Sequence, residues 1–193
     1  MKLNFLKSKR EKTIFWSITA LGISSIVTQL VLMREFLNIF YGNEVVFGII
    51  LGNWLLLTGL GAYFGKYIEK IKRKFNLLIF SQIAIALLPF FTIFIIRILR
   101  DIIFLPGELI NVFHILLYSF ILLLPYCLIS GYLLTLACIV FSRKKDEEAI
   151  GKVYFIDSIG DILGGLLFSF VLIYFLNPFQ MALFIMILNI RLI

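Results

Sequence analysis

Long apolar runs alternate with short polar breaks along the whole chain. The runs cover residues 14–33, 45–64, 75–96, 112–141, 153–176, and 179 to the end. A helix rises 1.5 Å per residue, so about 20 residues cross a hydrocarbon core of about 30 Å. The first, second, third and fifth runs have that length. The fourth would reach about 45 Å as one straight helix, and Pro125 near its middle predicts a tilt, a kink or a protruding end. Pro89 predicts a similar bend in the third. The sixth run stops about 15 residues in, with no cap and no polar tail, where its last carbonyls would lie in or near lipid. It is expected to be a truncated span with more protein beyond it. The pattern predicts an all-α fold: a polytopic transmembrane helix bundle over residues 14–193, with five full spans and a truncated sixth, preceded by a basic cytoplasmic segment, 1–13.

Composition removes the competing classes. Hydrophobic residues make up 62% and charged residues 15%, against about 45–50% and about 25% in soluble domains. A soluble globular domain, a disordered chain and a disulfide scaffold are excluded. The net charge of +7 comes from 18 basic and 11 acidic residues, and its distribution speaks for topology rather than nucleic acid. Five basic residues precede the first run (Lys2, Lys7, Lys9, Arg10, Lys12), five follow the second (Lys66, Lys70, Lys72, Arg73, Lys74) and four follow the fourth (Arg143, Lys144, Lys145, Lys152). The opposite side holds Arg34, Arg97 and Arg100. This asymmetry predicts a cytoplasmic N-terminus and a multi-pass protein of the cell's inner membrane. The first run lacks a small-x-small cleavage site and ends at Arg34-Glu35, so it is read as a retained anchor rather than a signal peptide.

Small and polar residues inside the runs are the next layer. Gly48–Gly52, Gly61–Gly65 and Gly160–Gly164 form three GxxxG patterns, which let two helix backbones approach closely in lipid. They are read as packing within the chain, with association of copies into a homo-oligomer as the other use. On that reading spans two and five are the inner helices. Gln29, Arg34, Glu35, Asn43 and Glu44 cluster around the hinge between spans one and two. They fit either an Arg34–Glu44 or Arg34–Glu35 pair that fixes the hinge, or a polar vestibule for a small cation. Asp157 and Asp161 are four apart and share one face of span five. Asp157 fits an interfacial place near a helix N-terminus. Asp161 lies deeper, either paired with a residue such as Asn53 or facing a proton or an amine. Asn53 and Gln82 fit hydrogen bonds to neighbouring helices. His114 is the sole histidine and makes no metal case. Cys127 and Cys138, about three turns apart, fit buried inert thiols. The candidate polar site is therefore Arg34, Glu35, Asn43, Glu44, Asn53, Asp157 and Asp161, with no catalytic residue, metal or cofactor.

No P-loop, Rossmann fingerprint, HExxH or GxSxG is present. Two stretches do resemble a family. Residues 25–66 hold Arg34-Glu35, the Gly42-Asn43-Glu44 turn, Asn53-Trp54 and a run of glycines through Gly65. Residues 125–172 hold Ser130-Gly131, then Gly151, Tyr154, Asp157, Gly160 and Gly164-Gly165. In order and spacing, over residues 14–176, they resemble the N-terminal transmembrane half of membrane-bound spermidine synthase-like proteins. The resemblance implies a cytoplasmic aminopropyltransferase domain of Rossmann-like fold as partner. That domain's glycine-rich donor site and catalytic carboxylate are not among these 193 residues. The expected function is thus a membrane domain that anchors such an enzyme and handles polyamine or another small cation. A freestanding small transporter or channel subunit, or a purely structural anchor, are the other readings.

Overall fold

A computed structural model describes residues 9–40, 42–70, 74–103, 111–141 and 147–192. The basic residues Lys2, Lys7, Lys72, Arg73, Arg143, Lys144 and Lys145 lie outside them. Six helices follow one another: α1 (Lys9–Ile39), α2 (Glu44–Phe64), α3 (Lys74–Ile103), α4 (Val112–Phe141), α5 and α6 (Pro178–Leu192). A short 3-10 helix, Gly65–Lys70, extends α2. Helix α5 runs from Glu147 to Leu167, passes through a π-helical turn at Phe168–Leu172 and ends with Ile173–Phe175. No strand occurs among the described residues.

Five of these helices are long and apolar enough to cross a membrane: Phe15–Ile39, Glu44–Tyr67, Asn76–Arg100, Val112–Val140 and Ile150–Phe175. Large side chains such as Phe80, Phe155, Phe170, Tyr174 and Phe175 stand exposed on their outer faces. In water that surface would be a severe liability, whereas lipid accepts it. The chain is a multi-pass membrane protein. The sixth helix is shorter than a span. Pro178 opens it, where a missing N–H does no harm, and the Asn177 N–H donates to Gln180 Oε1 at 2.9 Å. Met181, Ala182 and Ile185 bury its inner face.

The inner helix is α1, which corrects the expectation for spans two and five. It packs against α5, α6, α3, α2 and α4, and 56% of its span is buried, against 33% for α2 and 22% for α5. A glycine pair specifies one close neighbour along one stripe, and a central place requires contact all round. Helix α5 uses its pair against α1: side chains at Gly160 or Gly164 would collide with Thr19 and Ile23 backbone, and one at Gly22 with that of Asp157. Helix α2 uses Gly61 and Gly65 against α4, at Leu128 and Thr135. Gly131 of α4 returns the contact, lying against the Thr58 carbonyl. Around Gly48 and Gly52 there is open space, so that pattern packs against nothing among the described residues.

The first span is also longer than expected. Its helix continues through Arg34 and Glu35 to Ile39, because Phe36, Ile39 and Phe40 carry the buried stripe onward. The two charged residues therefore sit on the helix, not in the hinge. Helix α4 is one helix from Val112 to Phe141 with Pro125 inside it, and α3 likewise contains Pro89.

Candidate functional site

The seven candidate residues separate into four places. At one end of the bundle, Glu35 is buried to 4% exposure. Its carboxylate accepts two hydrogen bonds from Arg97 of α3, from Nε at 2.9 Å and from Nη2 at 3.0 Å. This two-pronged geometry suits a guanidinium and a carboxylate. The Arg97 guanidinium also lies 4.7 Å over the ring of Phe179 at the start of α6. One ion pair thus ties α1 to α3, with α6 against it. The expected Arg34–Glu35 or Arg34–Glu44 pair is not formed: Arg34 is exposed, and Glu35 has turned inward to the arginine of another span. The reason is helical geometry. Arg34 and Glu35 are neighbours in sequence and point about 100° apart.

At the hinge itself, Asn43 is the N-cap of α2, its Oδ1 accepting from the Val46 N–H at 2.9 Å. Glu44 is exposed in the first turn, where a negative charge meets the positive end of the helix. Both residues are thereby accounted for by helix termination, and Glu44 does not point into the bundle.

Asn53 is buried between α2 and α4. Its Nδ2 donates to Ser119 Oγ at 2.8 Å and to the Leu116 carbonyl at 3.0 Å. Ser119 passes the chain on to the Ile115 carbonyl at 2.7 Å. This is the amide-to-helix bond expected of Asn53, but its partner is α4, and the expected pairing with Asp161 does not occur. Asn53 and Asp161 belong to different packing partners: α2 lies chiefly on α4, and α5 chiefly on α1.

Asp157 and Asp161 share the side of α5 that meets α1, where Gly22 lies against the backbone of both. Each is half-buried. Neither has an ion-pair or side-chain hydrogen-bond partner among the described residues. Asp161 stands about 16 Å into its span, close to the middle of the membrane.

In the bundle interior the structure adds residues that were not singled out from the sequence. Tyr126 of α4 is fully buried against Trp54, ring centroids 5.4 Å apart. Its hydroxyl neighbours the side chain of Thr28 of α1. Thr28 Oγ1 and the Tyr126 hydroxyl are both buried without a hydrogen-bond partner. One turn along α1 from Thr28, Ser24 Oγ accepts from Asn189 Nδ2 of α6 at 2.7 Å, and Asn189 Oδ1 is left unpaired. Thr28, Tyr126 and Asp161 each fall near the middle of their spans. Unpaired polar atoms in such a place are rare and call for a partner. The sequence held a trace of this: Ser24 and Thr28 are four apart and so share a helix face. Among the described residues, no group of three His, Cys, Asp or Glu is gathered to hold a metal ion.

Compared with known proteins, the chain matches no family model, no curated protein and no solved structure.

Proposed function

We propose that this chain is a membrane domain that takes up a small cationic solute of the polyamine type at mid-depth, with Asp161 as the carboxylate that meets its ammonium group. The observation that carries the reading is the half-buried Asp161 near the middle of α5, on the side that meets α1 and with no ion-pair or side-chain hydrogen-bond partner among the described residues. A carboxylate in hydrocarbon is stabilised by a cation, and the buried hydroxyls of Thr28 and Tyr126 are further polar groups within the bundle interior. The resemblance to spermidine synthase-like membrane domains points to the same solute class, and to a cytoplasmic aminopropyltransferase domain as the partner that this bundle anchors. In that arrangement the N-terminus faces the cytoplasm and the bundle sits in the inner membrane, as the basic residues direct.

A purely anchoring role is the second reading. It draws on Asn43 and Asn53, each of which has a partner that serves the fold alone. Uptake of labelled spermidine into vesicles carrying the protein separates the two. The transport reading expects uptake by the parent, a loss of about tenfold or more in Asp161→Asn as a charge-assisted contact disappears, and unchanged uptake in Glu44→Gln. No uptake by the parent, or equal uptake in Asp161→Asn, defeats it.

A further inference from the structure

A second polar site lies at the far end of α3, remote from Asp161 and independent of the proposed solute. Glu35, Asn38 and Ile39 of α1 and Arg97 and Arg100 of α3 line a cavity of about 240 Å³, open on one side. Its lining carries two positive charges and one negative, so one positive charge is left over. Arg97 spends two N–H groups on Glu35, which leaves three of its five donors without a protein partner among the described residues. The guanidinium is not free to turn, since Glu35 grips one edge and the ring of Phe179 lies beneath its face. Arg100 and Asn38, both exposed, stand at the same opening with donors of their own. Arg97 and Arg100 close the span Asn76–Arg100, at the level where hydrocarbon gives way to headgroups.

We infer that this cavity binds a phosphate group, held by the outward edge of Arg97, by Arg100 and by the Asn38 amide. A planar guanidinium already fixed by a carboxylate is prepared for a second oxyanion on its remaining edge, because little rotamer freedom is left to lose. Glu35 thus acts as a positioning residue: it aims Arg97 and leaves the net charge positive. The phosphate can come from a lipid headgroup in the adjoining leaflet or from solution. The chemistry of the site is the same for both.

The test uses the full chain in a neutral detergent, titrated in turn with a short-chain phosphatidylglycerol and with inorganic phosphate. Bound mass is read by native mass spectrometry and stabilisation by thermal melting. The parent is expected to take up one equivalent of at least one probe. Binding of the lipid alone identifies the headgroup as the source, and binding of phosphate also identifies a soluble anion. Arg100→Gln and Asn38→Leu leave the Glu35–Arg97 pair intact, so both should fold. Arg100→Gln is expected to weaken binding about tenfold or more. Arg34→Gln, one residue from Glu35 and outside the cavity, is expected to bind as the parent does. Failure of both probes, parental binding by Arg100→Gln, or equal weakening by Arg34→Gln overturns the inference, the last because it reports diffuse surface charge instead of a site.

Discussion

Arg97→Ala is expected to destabilise the bundle by about 3 kcal/mol, the low end of what is seen when one partner of a buried ion pair is removed. The asymmetry of the pair sets the direction. The Arg97 side chain is 47% exposed, while that of Glu35 is 6% exposed. Removing the arginine therefore strands a carboxylate where neither water nor lipid stabilises it. Removing Glu35 strands only a guanidinium that still reaches the interface, so Glu35→Gln should cost distinctly less. The double variant Glu35→Gln, Arg97→Ala should recover much of the loss, because a neutral amide needs no counter-charge. Thermal melting in detergent of the four proteins gives the coupling directly. Equal losses in the two single variants, with simple addition in the double, would show that burial of Glu35 does not govern this contact.

Gly131→Val is expected to separate α2 from α4 and to cost about 3 kcal/mol or more, since no side-chain movement relieves the clash. A Cβ at residue 131 runs into the Thr58 carbonyl and the Ala62 backbone nitrogen. The loss should extend to the Asn53–Ser119 bond, which depends on the same two helices staying close. Gly52→Val is the matched control: it adds the same atoms to a spanning helix where nothing lies within 4 Å. The yield of monodisperse protein after extraction, followed by melting, should show Gly131→Val severely reduced and Gly52→Val near the parent. If Gly52→Val is the more damaging of the two, the open glycine face is in contact with something outside this chain.

Much of the fold was legible because the period and length of apolar runs are set by the membrane, not by tertiary detail. Runs two and four correspond closely to α2 and α4, and each of the five full runs has its spanning helix. The helix ends were harder. Span one was expected to stop at Met33 because two charges follow, yet a charge that finds an opposite charge at its own depth does not end a helix. Arg97 held the clue, since it lies near the end of span three on the side where Glu35 ends span one, but a sequence does not say which spans are adjacent. Centrality was misjudged for a related reason. Glycine pairs mark where two backbones touch, and α1, with only Gly22 within its span, is central because all five other helices lean on it. The candidate site was legible in part. Asp161 lies near the middle of the helix Ile150–Phe175, and Asn53 bonds to a neighbouring helix. Asn43 proved to be the N-cap of α2 and Glu44 an exposed residue of its first turn. Tyr126 and Asn189 were silent in the sequence, because a hydroxyl or an amide in an apolar run gains meaning only from what faces it.

A lipid-embedded bundle requires the wide apolar faces of α2, α3 and α5 to lie in hydrocarbon, which leaves the bundle interior as the place for charge. Leu55, Phe91 and Ile162, 62%, 53% and 64% exposed, stand near the middle of their spans and sample those three faces. Cys127 and Cys138 are buried, so a nitroxide can be attached at Leu55→Cys, Phe91→Cys and Ile162→Cys in turn. Collision of each label with oxygen and with a polar nickel complex, measured by electron paramagnetic resonance in lipid bilayers, reads its surroundings. The account predicts frequent collision with oxygen and exclusion of the nickel complex at all three positions. Free access of the nickel complex to any one of them would contradict it.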